Sequence, residues 1–141
     1  MRLYFYTLFL VGVCVKHVFT VFPSQEFMDE LKPVQDKCIA ESGVEKEIVQ
    51  YFTAGKLTDD PNLKCYMKCV FLTFEILNPS TGFIYYHKIL DLVPDSLKPI
   101  AYDIGHSCVH FQGEENTDLC QLAYDLHRCW QKNDPKHYFF M

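Results

Sequence analysis

The chain has 141 residues, enough for one domain with a real but small core. Its formal charge is −5, and −7 once residues 1–20, which hold Arg2, Lys16 and no acid, are set aside. Such an acidic chain is a poor partner for nucleic acid or an anionic membrane surface, so neutral or apolar partners are expected.

The first segment, "MRLYFYTLFLVGVCVKHVFT", has one early basic residue and an apolar run from Leu3 to Val15. The run is too short to span a bilayer and reads as a secretory signal peptide, residues 1–20, cut somewhere between Cys14 and Thr20. Residues 21–141 then form the single mature domain, in which no segment is long and apolar enough to span a membrane.

Helix signals recur through that domain and strand signals are weak. "SQEFMDELKPVQDKC" places Phe27, Leu31, Val34 and Cys38 on one helical face, and Pro33 predicts a kink or a restart. Ser42 and Glu45 have the spacing of a capping box for a second helix carrying Val44, Ile48, Tyr51 and Phe52, with Gly55 at its end. Asp60-Pro61 opens a third helix, expected to reach about Leu77 before "NPSTG" breaks it. "YYHKILDLV" gives a short fourth helix ending before Pro94. Ser96 is the expected cap of a fifth, with Pro99 in its first turn. Asn116 or Thr117 is expected to cap a sixth, running through Trp130, before the tail "KNDPKHYFFM". The fold class is therefore all-α, about six short helices in one compact bundle.

Seven cysteines become six if Cys14 leaves with the leader, and an even number in a secreted chain of this size implies three disulfides. At about 100° per residue, Cys120 and Cys129 lie roughly 180° apart on their helix and cannot pair. Cys65 and Cys69 share a face, but Cβ atoms four residues apart are about 5–6 Å from each other, too far for an unstrained bond. By counting, ten of the 15 pairings of six cysteines survive these two exclusions. In each of them Cys65 and Cys69 reach separate partners, so the third helix is tied twice to other parts of the chain. That helix is apolar nearly all round, with Leu63, Met67, Val70, Phe74 and Leu77 opposite its cysteines, and so is expected to be buried. On the sixth, Leu119, Leu122, Ala123, Leu126 and Trp130 form one inward stripe.

Catalytic and metal signatures are missing. The chain holds no G-x-S-x-G, H-E-x-x-H, glycine-rich phosphate loop or zinc C-x-x-C pair, so no enzyme activity, cofactor or metal is expected. His106 and His110 are four apart, but two exposed ligands do not close a metal site. "GEENTD" reads as a solvated loop rather than a calcium site.

The cysteine spacing is C-x26-C-x3-C-x38-C-x11-C-x8-C. With "LKCYMKCVF", "GFIYYHKILDLVPDSLKPIA", "CQLAYDLHRCW" and "DPKHYFF", it resembles the six-cysteine insect odorant-binding proteins, the PBP/GOBP family, from about Gln25 to the end. The resemblance implies the pairs Cys38–Cys69, Cys65–Cys120 and Cys108–Cys129. It also implies a cavity for a small hydrophobic ligand among the helices. Aromatic residues are 16% of the chain; a packed core accounts for most of them, and three disulfides could brace a partly unfilled interior. The expected cavity wall is Met67, Val70, Phe71 and Phe74 on the third helix, Ile84 and Leu90 around the fourth, Leu126 and Trp130 on the sixth, and Tyr138, Phe139 and Phe140 in the tail. His127 and His137 are candidates for a pH-dependent release, His127 being placed at the border of the inward stripe. The implied function is a secreted carrier of odorants or pheromones in sensory lymph, acting as a monomer or weak homodimer with an olfactory receptor as an indirect partner. The alternatives are a carrier of a lipid or hormone in another secretion, a small secreted enzyme such as a lipase, and an interaction or toxin-like protein without a cavity.

Overall fold

The computed structural model describes residues 23–53, 55–109 and 118–138; the leader, His110, the "GEENTD" loop up to Thr117, Phe139 and Phe140 lie outside them. Among the described residues there are six helices in chain order: α1 (Gln25–Ser42), α2 (Lys46–Thr53), α3 (Pro61–Thr73), α4 (Tyr86–Leu92), α5 (Lys98–Cys108) and α6 (Leu119–Asn133).

The helix starts follow local chemistry. Ser24 accepts from the Phe27 N–H at 3.2 Å and caps α1. The helix runs on through Pro33 without a restart. Proline forfeits one backbone hydrogen bond there, but Leu31 and Cys38 bury on either side of it. The expected capping box does not form. Ser42 is the last residue of α1, its Oγ accepts from the Val44 N–H at 3.3 Å, and α2 begins only at Lys46. Gly43 explains the stop, with φ 70° and its N–H on the Ile39 carbonyl, the left-handed termination that glycine adopts without steric cost. Asp60 caps α3, its Oδ1 taking the Leu63 N–H at 2.7 Å, with Pro61 in the first turn.

α3 ends at Thr73, short of the expected Leu77. Glu75 takes φ 55°, and the Ile76 and Leu77 N–H groups both turn back to the Phe71 carbonyl, at 2.8 and 3.3 Å. Residues 76–85 fold into a small hairpin-like loop. The Asn78 N–H meets the Phe83 carbonyl, the Tyr85 N–H meets the Ile76 carbonyl, and Leu77 bridges to Ile84. Ile76 and Leu77 are still buried, which is why their apolar periodicity mimics a longer helix. α5 starts after Leu97 without a side-chain cap, not at Ser96. Asp118 caps α6 through the Cys120 N–H, and the helix continues three residues past Trp130.

α3 packs against both α1 and α6, and α5 packs against α4 and α6. Disulfides fasten the same contacts: Cys38–Cys69 joins α1 to α3, Cys65–Cys120 joins α3 to α6, and Cys108–Cys129 joins α5 to α6, with S–S distances of 2.03, 2.13 and 2.08 Å. Leu63, Tyr66, Met67, Cys69, Val70 and Phe71 of α3 are all buried, making it the central element.

One close approach sets the α4–α5 pair. The Tyr86 hydroxyl donates to the Ala101 carbonyl, burial pushes its phenol up to about 12, and its ring lies directly on Gly105. A methyl group at Gly105 would overlap that ring. Gly105→Ala is therefore expected to cost about 1–3 kcal/mol, the scale of overpacking a filled contact. Urea unfolding checks this, and an unchanged midpoint would mean that Tyr86 turns aside freely.

Candidate functional site

The interior has two neighbouring features on one side of α6. The first is an aromatic cluster around His127. Phe71 of α3 stacks on the imidazole at 5.0 Å, and Phe52 of α2 meets it edge-on at 5.3 Å. Tyr138 from the tail lies edge-on to Phe52, His127 and Trp130, with centroids 5.9, 6.1 and 5.8 Å away. Its hydroxyl sits 3.2 Å from His127 Nδ1. His127 is 1% exposed, so it belongs to the core and not to the border of the stripe. Burial penalises the imidazolium and pulls its pKa down to about 3. The tail is thus packed inward at least as far as Tyr138, by ring contacts.

The second feature is an apolar chamber. Val93, Leu97, Ile100, Ala101 and Ile104 form one wall, and Trp130 and His137 form the other. Its free volume is about 10 Å³, close to the room of a single water and far below the ~300–1,000 Å³ of small-molecule sites. Occupation by anything larger requires the wall to yield. Asp134, at the end of α6, holds His137 in place. Its Oδ2 is 2.6 Å from His137 Nδ1, and its Oδ1 takes the His137 N–H at 3.2 Å. Burial works to raise the Asp134 carboxyl, but the hydrogen bonds from the His137 ring and backbone outweigh it and hold the group below the usual carboxylate range.

A larger opening, about 660 Å³, lies against α6, lined by Leu57, Tyr124, Asp125, Arg128, Cys129, Gln131, Lys132 and Asn133. Its lining is a mixture of polar and apolar surface and contains none of the residues expected to wall a ligand cavity. Lys64 helps to shape it: its Nζ reaches Asp59 and Gln121 and lies 5.0 Å from the centre of the Tyr124 ring. The Gln131 amide donates to the Gly55 carbonyl, docking the 55–60 segment on α6.

Trp130 and His137 thus meet at the apolar chamber, and Tyr138 backs Trp130. Met67, Val70, Phe71 and Leu126 are buried at the packed α3–α6 side. Ile84 is buried in its bridge to Leu77, while Phe74 and Leu90 are half-buried against the core. The chamber residues that the wall assignment omits are Val93, Leu97, Ile100, Ala101 and Ile104. Leu97 is the N-cap residue of α5, and Ile100, Ala101 and Ile104 follow it at helical spacing, with the residue types of an ordinary core face. His106 is exposed, and no group of three metal-ligating side chains occurs among the described residues.

An all-helical shell fastened by three disulfides, with a tail folded back on apolar residues of its interior, defines a small disulfide-braced helical protein. The chain belongs to the PBP/GOBP family, whose sequence profile matches residues 21–133. It is similar to general odorant-binding protein 72 of Anopheles gambiae, 26% identical over 106 residues that span 72% of this chain and 85% of the relative. Among solved structures it is similar to Locusta migratoria odorant-binding protein lmigOBP1, at 31% identity and a TM-score of 0.69 over 79% of this chain and 84% of that one. It is also similar to odorant-binding protein 7 of Anopheles gambiae, which has four disulfide bridges and was solved with an azo compound, at 26% identity and a TM-score of 0.69 over 79% of this chain and 88% of that one. The family and its fold bind hydrophobic ligands.

Proposed function

We propose that the protein is a secreted carrier that takes small hydrophobic odorants or pheromones into its interior and ferries them through aqueous sensory lymph, without changing them chemically. The observation that carries this reading is the family match over residues 21–133 on a helical shell braced by three disulfides; it is supported by the apolar lining between α5 and Trp130, beside a tail held through ring contacts and the Asp134–His137 pair. Removing an apolar molecule from water gains about 25 cal/mol per Å² of area buried. Little of that gain is spent on deforming the shell if the moving part is the five-residue tail from Asp134 to Tyr138, since the three disulfides fix the helices around it. Residues 1–20 would direct secretion, and among the described residues no helix is long and apolar enough to cross a membrane. The carrier would act as a monomer or weak homodimer and meet an olfactory receptor only through the cargo it delivers.

Saturable uptake of a fluorescent apolar probe, near one per chain, is the expected result. Quenching of Trp130, the one tryptophan of the sequence, should track occupancy because its ring lines the chamber. Absence of uptake would leave a helical protein without a carrier role. Uptake with unchanged Trp130 emission would move the site away from this chamber.

A further inference from the structure

The chamber has an otherwise aliphatic wall from Val93 to Ile104, and opposite it stand an indole and an imidazole. The imidazole is already half committed. Its Nδ1 lies 2.6 Å from a carboxylate oxygen of Asp134, and the same carboxylate takes the His137 backbone N–H. A carboxylate can only accept hydrogen bonds, so the ring proton must sit on Nδ1. On a neutral ring the other nitrogen, Nε2, then carries a lone pair, and it makes no hydrogen bond among the described residues. A His fixed in this way by a second group has a defined polarity toward whatever meets its free side.

We propose that His137, held as its Nδ1–H tautomer by Asp134, is the chamber's hydrogen-bond acceptor. It selects apolar molecules that carry a hydroxyl donor over molecules of equal shape whose oxygen can only accept. The assignment rests on the carrier reading above and narrows it to a ligand class. An aldehyde, ester or ether presents oxygen lone pairs to the Nε2 lone pair and gains nothing there. An alcohol turns its O–H to Nε2 and keeps the hydrogen bond that it loses on leaving water. Asp134 is a positioning residue, acting on the ligand only through the ring.

The test uses the purified protein with decanol and its methyl ether as competitors of a fluorescent apolar probe, and ¹⁵N NMR of the histidine rings. The NMR measurement needs no ligand: the wild-type His137 ring should carry its proton on Nδ1, and an Nε2–H signature overturns the assignment outright. In binding, the preference for decanol over the ether should be about fivefold larger in wild type than in His137→Leu, the worth of one net hydrogen bond, with the ether bound equally by both. Asp134→Asn keeps the ring but releases its tautomer, and should lose at least half of the preference. It also serves if His137→Leu disturbs the tail. A preference unchanged in both variants overturns the proposal and leaves the carrier reading standing. A wild-type protein that takes up neither the probe nor either competitor overturns both.

Discussion

Replacing Cys65 and Cys120 together by alanine is expected to lower the free energy of unfolding by about 4 kcal/mol, the largest loss among the three disulfides. The bond closes the longest loop, 55 residues apart in sequence, against 31 for Cys38–Cys69 and 21 for Cys108–Cys129. In the chain-entropy account the gain grows with the logarithm of loop length, so the two shorter bonds should be worth ~3–4 kcal/mol each. Cys65–Cys120 also fastens α3 to α6, where Val70, Phe71 and Leu126 are buried. Parallel urea titrations of the three double-alanine proteins check the order. If removing Cys65–Cys120 costs no more than removing Cys108–Cys129, loop closure is not what that bond contributes.

The same bond marks how far the sequence could be read. Helix geometry alone left ten pairings open, and the family spacing, not the geometry, pointed to one of them. Helix existence was legible because caps and stripes are local: Asp60-Pro61 announces α3, and the stripe through Leu122, Ala123, Leu126 and Trp130 announces α6. Boundaries were less legible wherever the deciding event was non-local or conformational. Glu75 carries no mark of its left-handed turn, and Ile76 and Leu77 keep the helical period while folding into a loop pinned by Phe83 and Tyr85. Ser42 and Glu45 have the spacing of a cap, but the chain uses Ser42 to end one helix instead. The chamber was the least legible part. Its α5 stripe has the same residue types as a core stripe, and only the fold places Trp130 and His137 across from it. His127 is a similar case. Its position on the helical wheel is a border, and Phe52, Phe71 and Tyr138, from three other places in the chain, bury it.

That burial makes acid the other strong perturbation. Between pH 7 and pH 5 the protein is expected to lose about 2 kcal/mol of stability through His127 alone, roughly a 25-fold fall in the ratio of folded to unfolded molecules. In the unfolded chain the ring titrates near its ordinary value of 6.5, whereas in the folded protein burial lowers it to about 3. The unfolded state therefore binds the proton first. The stability is fully present above pH 6.5 and falls by about 1.4 kcal/mol per pH unit as the pH drops toward 3. Among the described residues, the rings packed on the imidazole are uncharged: Phe52 comes from α2, Phe71 from α3, and Tyr138 brings a phenol whose own burial raises its pKa. His127→Gln cannot take up the proton and should flatten the acid limb of the stability curve by the same ~2 kcal/mol. An identical pH dependence in wild type and variant would remove His127 as its source. The ring also touches Tyr138, which in turn touches Trp130 at the chamber. We propose that opening of the tail exposes His127 to protonation near its ordinary value, so that acid favours the open tail and weakens ligand retention. Equal affinity for the apolar probe at pH 5 and pH 7 would separate acid instability from any role in release.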